Sequence, residues 1–418
     1  MSDREALIAA ICAQPDEDTP RLVYADYMEE NGEGAYAAFV RAQVELAAAP
    51  PWEPLAVRAC RRAPDLVTGA RFRHALPPLS GATEWGAHPF RRGFGWWLSV
   101  RAPAEWGRHV VPVLGRAPVG RVTFWGALLD DWRAVAGSGA LRGLRALAFA
   151  TSPIEPLFAL RDADGVEGVS ELHFARASGA GMPEVLEDLF ASRLGRAVRG
   201  LHFHVGYESL APLLDALNTG GPLERLSFSV MGITGEHLRR LFDGPTASAL
   251  TELHLRDEPL GADGLRVLAE AVPPTVRDLT LTKIGVRADG LEALARSPRL
   301  TSVRRLDLSG NPLTPRAAKV LSLSHPLAGL RSLNLSGCHL GDKGVRHVAR
   351  SRWWANLVEA DLSNNPISRA GVQHLLSAPV PPDLTALVLD DAVGAESRAA
   401  LARKFGPAVV FVAPGPPG

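Results

Sequence analysis

The chain has 418 residues and 45 basic side chains against 45 acidic ones, so it carries no net charge that would favour nucleic acid or acidic substrates. Its three cysteines, Cys12, Cys60 and Cys338, are far apart, which excludes a disulfide framework and any zinc-binding cysteine spacing. No apolar run is long enough to span a bilayer and the start lacks a basic region followed by an apolar core, so a soluble cytoplasmic protein is expected.

Charge is unevenly spread. Residues 1–50 hold ten acidic side chains against three arginines, while Arg58, Arg61, Arg62, Arg71, Arg73, Arg91, Arg92, Arg101, Arg108 and Arg116 crowd the next stretch. The two segments are expected to attract each other. Three amphipathic helices are predicted first. Residues 3–13 follow Ser2 as a cap and place Leu7, Ile8 and Ile11 on one face. Residues 21–30 offer Leu22, Tyr24, Ala25 and Met28 as inward positions, and residues 35–48 offer Tyr36, Phe39, Val40 and Val44. The run Asp16-Glu-Asp-Thr-Pro20-Arg-Leu-Val-Tyr24-Ala-Asp26-Tyr-Met-Glu-Glu30-Asn-Gly, followed by Phe39-Val-Arg41-Ala-Gln43, resembles the short bacterial repeat-companion domain that precedes repeat arrays. That resemblance covers about residues 1–50 and implies architecture and a bacterial origin, not chemistry. Asp16, Glu17, Asp18 and Asp26 are read as acids near helix starts, with a metal site or recruitment surface as the alternative.

Residues 51–93 are expected to form a basic linker or cap, with a helix near 53–73 and a loop over 80–89. A capping strand is expected from Phe94, with Trp96 and Trp97 hiding the apolar end of a stack. From there to residue 412 one pattern recurs. Its first apolar places are Val119, Leu144, Val169, Val198, Leu223, Leu250, Val276, Val303, Leu330, Leu357 and Leu384, spaced 25 to 29 residues apart. The clearest copies are Leu306-Asp-Leu308-Ser-Gly-Asn311-Pro-Leu313 and Leu333-Asn-Leu335-Ser-Gly-Cys338-His-Leu340. In earlier copies Phe149, Phe174, Phe203 and Phe228 replace the sixth-place leucine. Leucines at these offsets, with Asn or Cys at the ninth place to bond the turn, make a leucine-rich repeat. The long period resembles the ribonuclease-inhibitor subfamily, which implies a strand and a full helix per repeat. The fold class expected is therefore α/β, a curved leucine-rich-repeat solenoid with parallel strands on its concave face, helices on its convex face, and a small all-α N-terminal domain. Residues 413–418 read as a frayed tail.

Strand side chains alternate, so the third, fifth and seventh places of each repeat face away from the leucines. Candidate partner-binding residues follow from these three columns: His173, His202, His204, Glu252, His254, Arg256, Asp278, Arg305, Asp307, Asn334, Glu359 and Asp361. His173, His202 and His204 are weighed as a metal site against a polar contact surface, since no carboxylate is evident beside them. The acidic strip Glu252, Asp278, Asp307, Glu359 and Asp361, interrupted by Arg256 and Arg305, is weighed as a dock for a basic partner against plain solvation. Acid–base catalysis is set aside because an open sheet keeps carboxylates wet. No phosphate loop, nucleophile elbow or HExxH motif occurs. The expectation is a monomeric, non-catalytic scaffold without cofactors that binds a protein through its concave face, with no nucleic-acid or membrane partner. The alternative is a regulator of a partner enzyme, inhibitor or activator, including a GTPase-activator-like role.

Overall fold

The computed structural model describes residues 2–48, 69–79, 81, 83–86, 89–101, 106–126, 129–176, 181–205, 210–286 and 288–413. The chain forms two compact units, the first ending at Gly221 and the second running from Pro222 onward.

The first unit opens with helices α1 (Asp3–Ala13), α2 (Thr19–Glu30) and α3 (Gly34–Ala48). Ser2 caps α1 reciprocally: its Oγ accepts the Glu5 N–H, while Glu5 Oε2 accepts the Ser2 N–H at 2.8 Å. Ile11, Tyr24, Ala25, Met28, Tyr36, Phe39 and Val40 share one core with Phe72, Leu76, Phe90 and Phe94. The inward face of α2 differs from the expected one by one residue. Leu22 is exposed, and Arg21 is buried instead. Its guanidinium donates to the carbonyls of Glu17 and Pro15, so the arginine closes the preceding turn from inside. Burial, then the nearby Arg92, pulls its pKa down to about 10.

Strands β1 (Thr83–Trp85), β2 (Phe90–Arg91), β3 (Phe94–Gly95) and β4 (Trp97–Val100) follow. Two expectations are corrected here. The stretch 80–89 contains β1, which pairs antiparallel with β4 and so covers the open edge of the parallel sheet. The capping strand is β4, starting at Trp97, because Phe94 belongs to the β2–β3 hairpin. Leu98 and Val100 point to the core, whereas Trp97 stands on the opposite face and donates its indole N–H to Thr123 Oγ1 at 2.9 Å. Of the basic helix expected near 53–73, residues 51–68 lie outside the described residues, and Ala70–Ala75 is a short 3-10 helix.

Strands β5 (Arg121–Phe124), β6 (Ala146–Phe149), β7 (Glu171–Phe174) and β8 (Gly200–His204) continue in parallel from β4. Phe124, Phe149, Phe174 and Phe203 stack along the core with ring centroids 6.1, 5.9 and 5.2 Å apart. Three of the phenylalanines that weaken the leucine pattern, Phe149, Phe174 and Phe203, thus form an aromatic column with Phe124.

The second unit runs through β9 (Arg225–Ser229), β10 (Glu252–Arg256), β11 (Asp278–Thr282), β12 (Arg305–Asp307), β13 (Ser332–Asn334), β14 (Glu359–Asp361), β15 (Ala386–Asp390) and β16 (Val409–Val412), each parallel to the last. Helices such as Gly261–Ala271, Thr314–Ser322 and Gly341–Ala349 return the chain between strands. Leu306 pairs with Leu333, both 1% exposed, and each such burial contributes about 1.5–3 kcal/mol.

The turns after β9 to β14 repeat one geometry. The eighth place takes a positive φ at Val230 (58°), Asp257 (54°), Lys283 (52°), Gly310 (68°), Gly337 (67°) and Asn364 (55°). This left-handed step lets the ninth residue point inward. Asn311 Oδ1 there accepts the N–H groups of Ile284 and Val286 at 3.0 and 3.1 Å, and its Nδ2 donates to the carbonyls of Leu281 and Leu308. One amide side chain thereby satisfies backbone groups of two successive turns.

Candidate functional site

The face turned away from the leucines is built by the strand register. In the second unit Arg225, Glu252, Asp278, Arg305, Ser332, Glu359 and Ala386 are consecutive partners. Beside them run Ser227, His254, Thr280, Asp307, Asn334, Asp361 and Val388. Neighbours in each row lie about 4.8 Å apart, close enough for every polar group to meet the next.

That closeness changes the nature of the acidic strip. Asp278, Asp307, Glu359 and Asp361 are buried, not kept wet by an open sheet. Neighbours hydrogen-bond Asp307, Glu359 and Asp361. Asp307 accepts the Ser309 N–H at 2.9 Å and the Asn334 amide at 3.1 Å, and Asp361 Oδ1 accepts both the N–H and the hydroxyl of Ser363. Glu359 Oε2 accepts the Ser332 hydroxyl at 2.8 Å. His254 Nε2 stands 3.5 Å from Asp278 Oδ1, and Arg305 Nε stands 3.9 Å from Asp278 Oδ2. The more accessible members are Glu252, His254, Arg305 and Asn334, with Arg256 exposed at the strand end.

In the first unit, β7 and β8 bring His173 and His202 side by side, with rings stacked 4.1 Å apart at 7°. His204 is exposed at the end of β8 and lies outside this group. The carboxylate that the sequence reading did not find beside the histidines is Glu171. It sits two residues before His173, and its Oε2 lies 2.8 Å from His202 Nε2. The available signal was the third-place column, where Glu171 faces Gly200 across the ladder. A Cβ at Gly200 would lie 2.0 Å from Oε2, so only glycine leaves the carboxylate room to lean toward His202. Burial, reinforced by His202 and Arg121, pulls the His173 pKa down to about 2.

The acidic residues of the N-terminal helices face arginines. Asp16 pairs with Arg145, Arg92 donates to the Asp16 carbonyl and stands 3.4 Å from Asp18, and Arg41 pairs with Asp26 at 2.6 Å. The hydrogen bond from Arg145 leads the lowering of the Asp16 pKa. Another residue missed by the pattern is Glu258. It holds a ninth place, is 2% exposed, and accepts the N–H groups of Met231 and Ile233 at 2.9 and 2.7 Å. Among the described residues no helix is long and apolar enough to cross a membrane.

Parallel strands with buried leucines, a helix between strands and an Asn-bonded turn together define a leucine-rich-repeat fold. The family described as Leucine Rich repeat matches residues 299–322 and 330–349. No curated protein matches the chain. Among solved structures, the chain is similar to one of the yeast Rad7 and Elc1 complex, with 14% identity, a TM-score of 0.50, and coverage of 94% of this chain and 93% of that one. It is also similar to an internalin from Listeria monocytogenes, with 16% identity, a TM-score of 0.38, and coverage of 62% of this chain and 72% of that one. A TLR13–ssRNA13 complex matches with 13% identity, a TM-score of 0.33, and coverage of 65% of this chain and 49% of that one. At these identities the likeness concerns the fold.

Proposed function

We propose that the protein is a non-catalytic, cytoplasmic, monomeric scaffold that binds a protein partner through the strand face of its repeats. The observation that carries this reading is the unbroken register of the second unit, which aligns Glu252, Asp278, Asp307, Asn334, Glu359 and Asp361 along one surface. A continuous row of fixed polar groups suits an extended protein segment better than a small molecule, which needs an enclosed pocket. The accessible groups of this face are Glu252, His254, Arg256, Arg305 and Asn334, so a protein segment of mixed charge is the ligand proposed. The Rad7 and Elc1 structure offers a repeat fold of this kind in a complex with another protein. The finer assignments proposed with this reading are a ribonuclease-inhibitor-like repeat, supported by a full helix after most strands, and a bacterial repeat-companion segment over residues 1–50. His173, His202 and His204, on the strand face of the first unit, are proposed as partner contacts of that unit. Control of a partner enzyme is one use to which such a scaffold could be put.

The test is affinity capture with the Glu252→Lys, Asn334→Lys double variant, set against Glu292→Lys on the helix side. Both variants are first checked for native circular dichroism and melting. Partners that are lost with the strand-face variant, retained with the helix-side variant and released by salt support the proposal. Partners retained equally by both variants sink it.

A further inference from the structure

We propose that Glu171, His173 and His202 form a binding site for a divalent transition-metal ion, with Zn2+ as the best-fitting ion. One ligand atom from each residue lies within 4.8 Å of the other two. The set is two imidazoles and one carboxylate, a donor combination that suits borderline metals such as Zn2+ and disfavours Mg2+ and Ca2+, which take oxygen ligands.

The placement comes from the fold. Glu171 and His173 are alternate residues of β7 and so share a face, and the parallel register sets His202 of β8 directly beside His173. Gly200 opens the space into which the Glu171 carboxylate leans. Glu171 and His202 keep 19% and 25% of their side-chain surface exposed, so an ion can reach them from solvent. A tetrahedral Zn2+ with bonds of about 2.0–2.2 Å holds its ligands roughly 3.3–3.6 Å apart, so binding requires the two stacked imidazoles and the carboxylate to rotate toward a common point. Three protein ligands leave the metal one coordination position for water or a ligand from a bound partner.

The experiment uses the full-length chain, stripped with a chelator and titrated with ZnCl2 by calorimetry. One equivalent is expected to bind and to raise the melting temperature. Glu171→Gln and His202→Gln, which conserve size and polarity, should each weaken that binding by about tenfold or more, the scale on which altered metal surroundings act. Gly200→Ala, which removes no ligand, should weaken it as well by displacing the carboxylate. Absence of zinc heat, or zinc binding unchanged in Glu171→Gln and His202→Gln, overturns the site. Should the variants fail to fold, Cu2+ bound to the native chain decides the matter by electron paramagnetic resonance. Coupling to two imidazole nitrogens supports the site, and a spectrum without such coupling overturns it.

Discussion

Asn365 closes the turn that holds Cys338. Its Oδ1 accepts the Cys338 N–H at 3.1 Å and the Leu340 N–H at 3.0 Å, while its Nδ2 donates to the carbonyls of Leu335 and Leu362 at 2.8 and 3.0 Å. Cys338 repeats part of this toward the preceding turn, with Sγ 3.1 Å from the Leu308 carbonyl. Glu258, Asn311, Cys338 and Asn365 therefore form a ladder of ninth places in which each bonds the turn before it.

Asn365→Ala should be among the costliest polar substitutions in the second unit. It strips partners from buried backbone groups of two turns at once, and each unsatisfied group costs about 1–3 kcal/mol. A loss of at least about 2 kcal/mol in chemical denaturation is expected. A loss no larger than that of a surface substitution would show that water replaces the amide.

Cys338 should resist thiol reagents until the second unit unfolds. Burial, opposed only by backbone N–H groups of Asn311 and Gly310, pushes its pKa up to about 12, so almost no thiolate exists at neutral pH. Mass-spectrometric mapping after alkylation at pH 8 should find Cys338 unmodified in native protein and modified in denaturant. Labelling at the same rate in both states contradicts this.

Glu258 replaces the ladder asparagine with a carboxylate, and this gives stability a pH dependence. Burial raises its pKa above the ordinary 4.5, against the pull of the N–H groups of Met231, Ile233 and Gly232. The folded state thus holds the proton more tightly than the unfolded one. The resulting stabilisation is complete below the unfolded value and is lost as pH rises through the raised folded value. Glu258→Gln removes the titration and sets an amide NH2 against a backbone N–H, at a cost of about 1–3 kcal/mol. Denaturation at several pH values should show the gap between native protein and variant widest in acid and narrowing toward neutrality. A gap that grows with pH refutes the assignment.

Periodicity revealed nearly all of the strand face. Leucines every 25 to 29 residues fix which side chains are buried, and alternation then assigns the rest, so the register from Arg121 to Gly200 and from Arg225 to Ala386 followed without coordinates. What periodicity cannot carry is contact between columns. Burial of Asp307 depends on Asn334 and Ser309 bonding it, and the Glu171–His202 contact depends on a missing Cβ at Gly200. The end of the stack was also hidden, because β1 pairs antiparallel and follows no repeat.

Val230 should be improved by removing its side chain. It is 46% exposed and holds φ at 58°, where a β-branched residue clashes with its own backbone. Relief of about 1–2 kcal/mol exceeds the added unfolded-state entropy of glycine, leaving Val230→Gly more stable by about 0.5–1 kcal/mol. Lower stability in the glycine variant would mean that Val230 makes a packing contact worth more than its strain.

Phe174→Leu restores the repeat's usual sixth-place residue and should nonetheless destabilise the first unit. Phe174 lies between Phe149, 5.9 Å away at 13°, and Phe203, 5.2 Å away at 35°. Leucine is smaller than the space between those two rings and gives up both ring contacts, each worth about 0.5–1.5 kcal/mol beyond area. With the small cavity the loss should be about 1–3 kcal/mol or slightly more, against about 3–5 kcal/mol for Phe174→Ala. Leucine at all four places, Phe124, Phe149, Phe174 and Phe203, should cost less than the sum of the single changes, because leucines can interdigitate with one another. Strict additivity in urea denaturation would show that the column acts as separate residues.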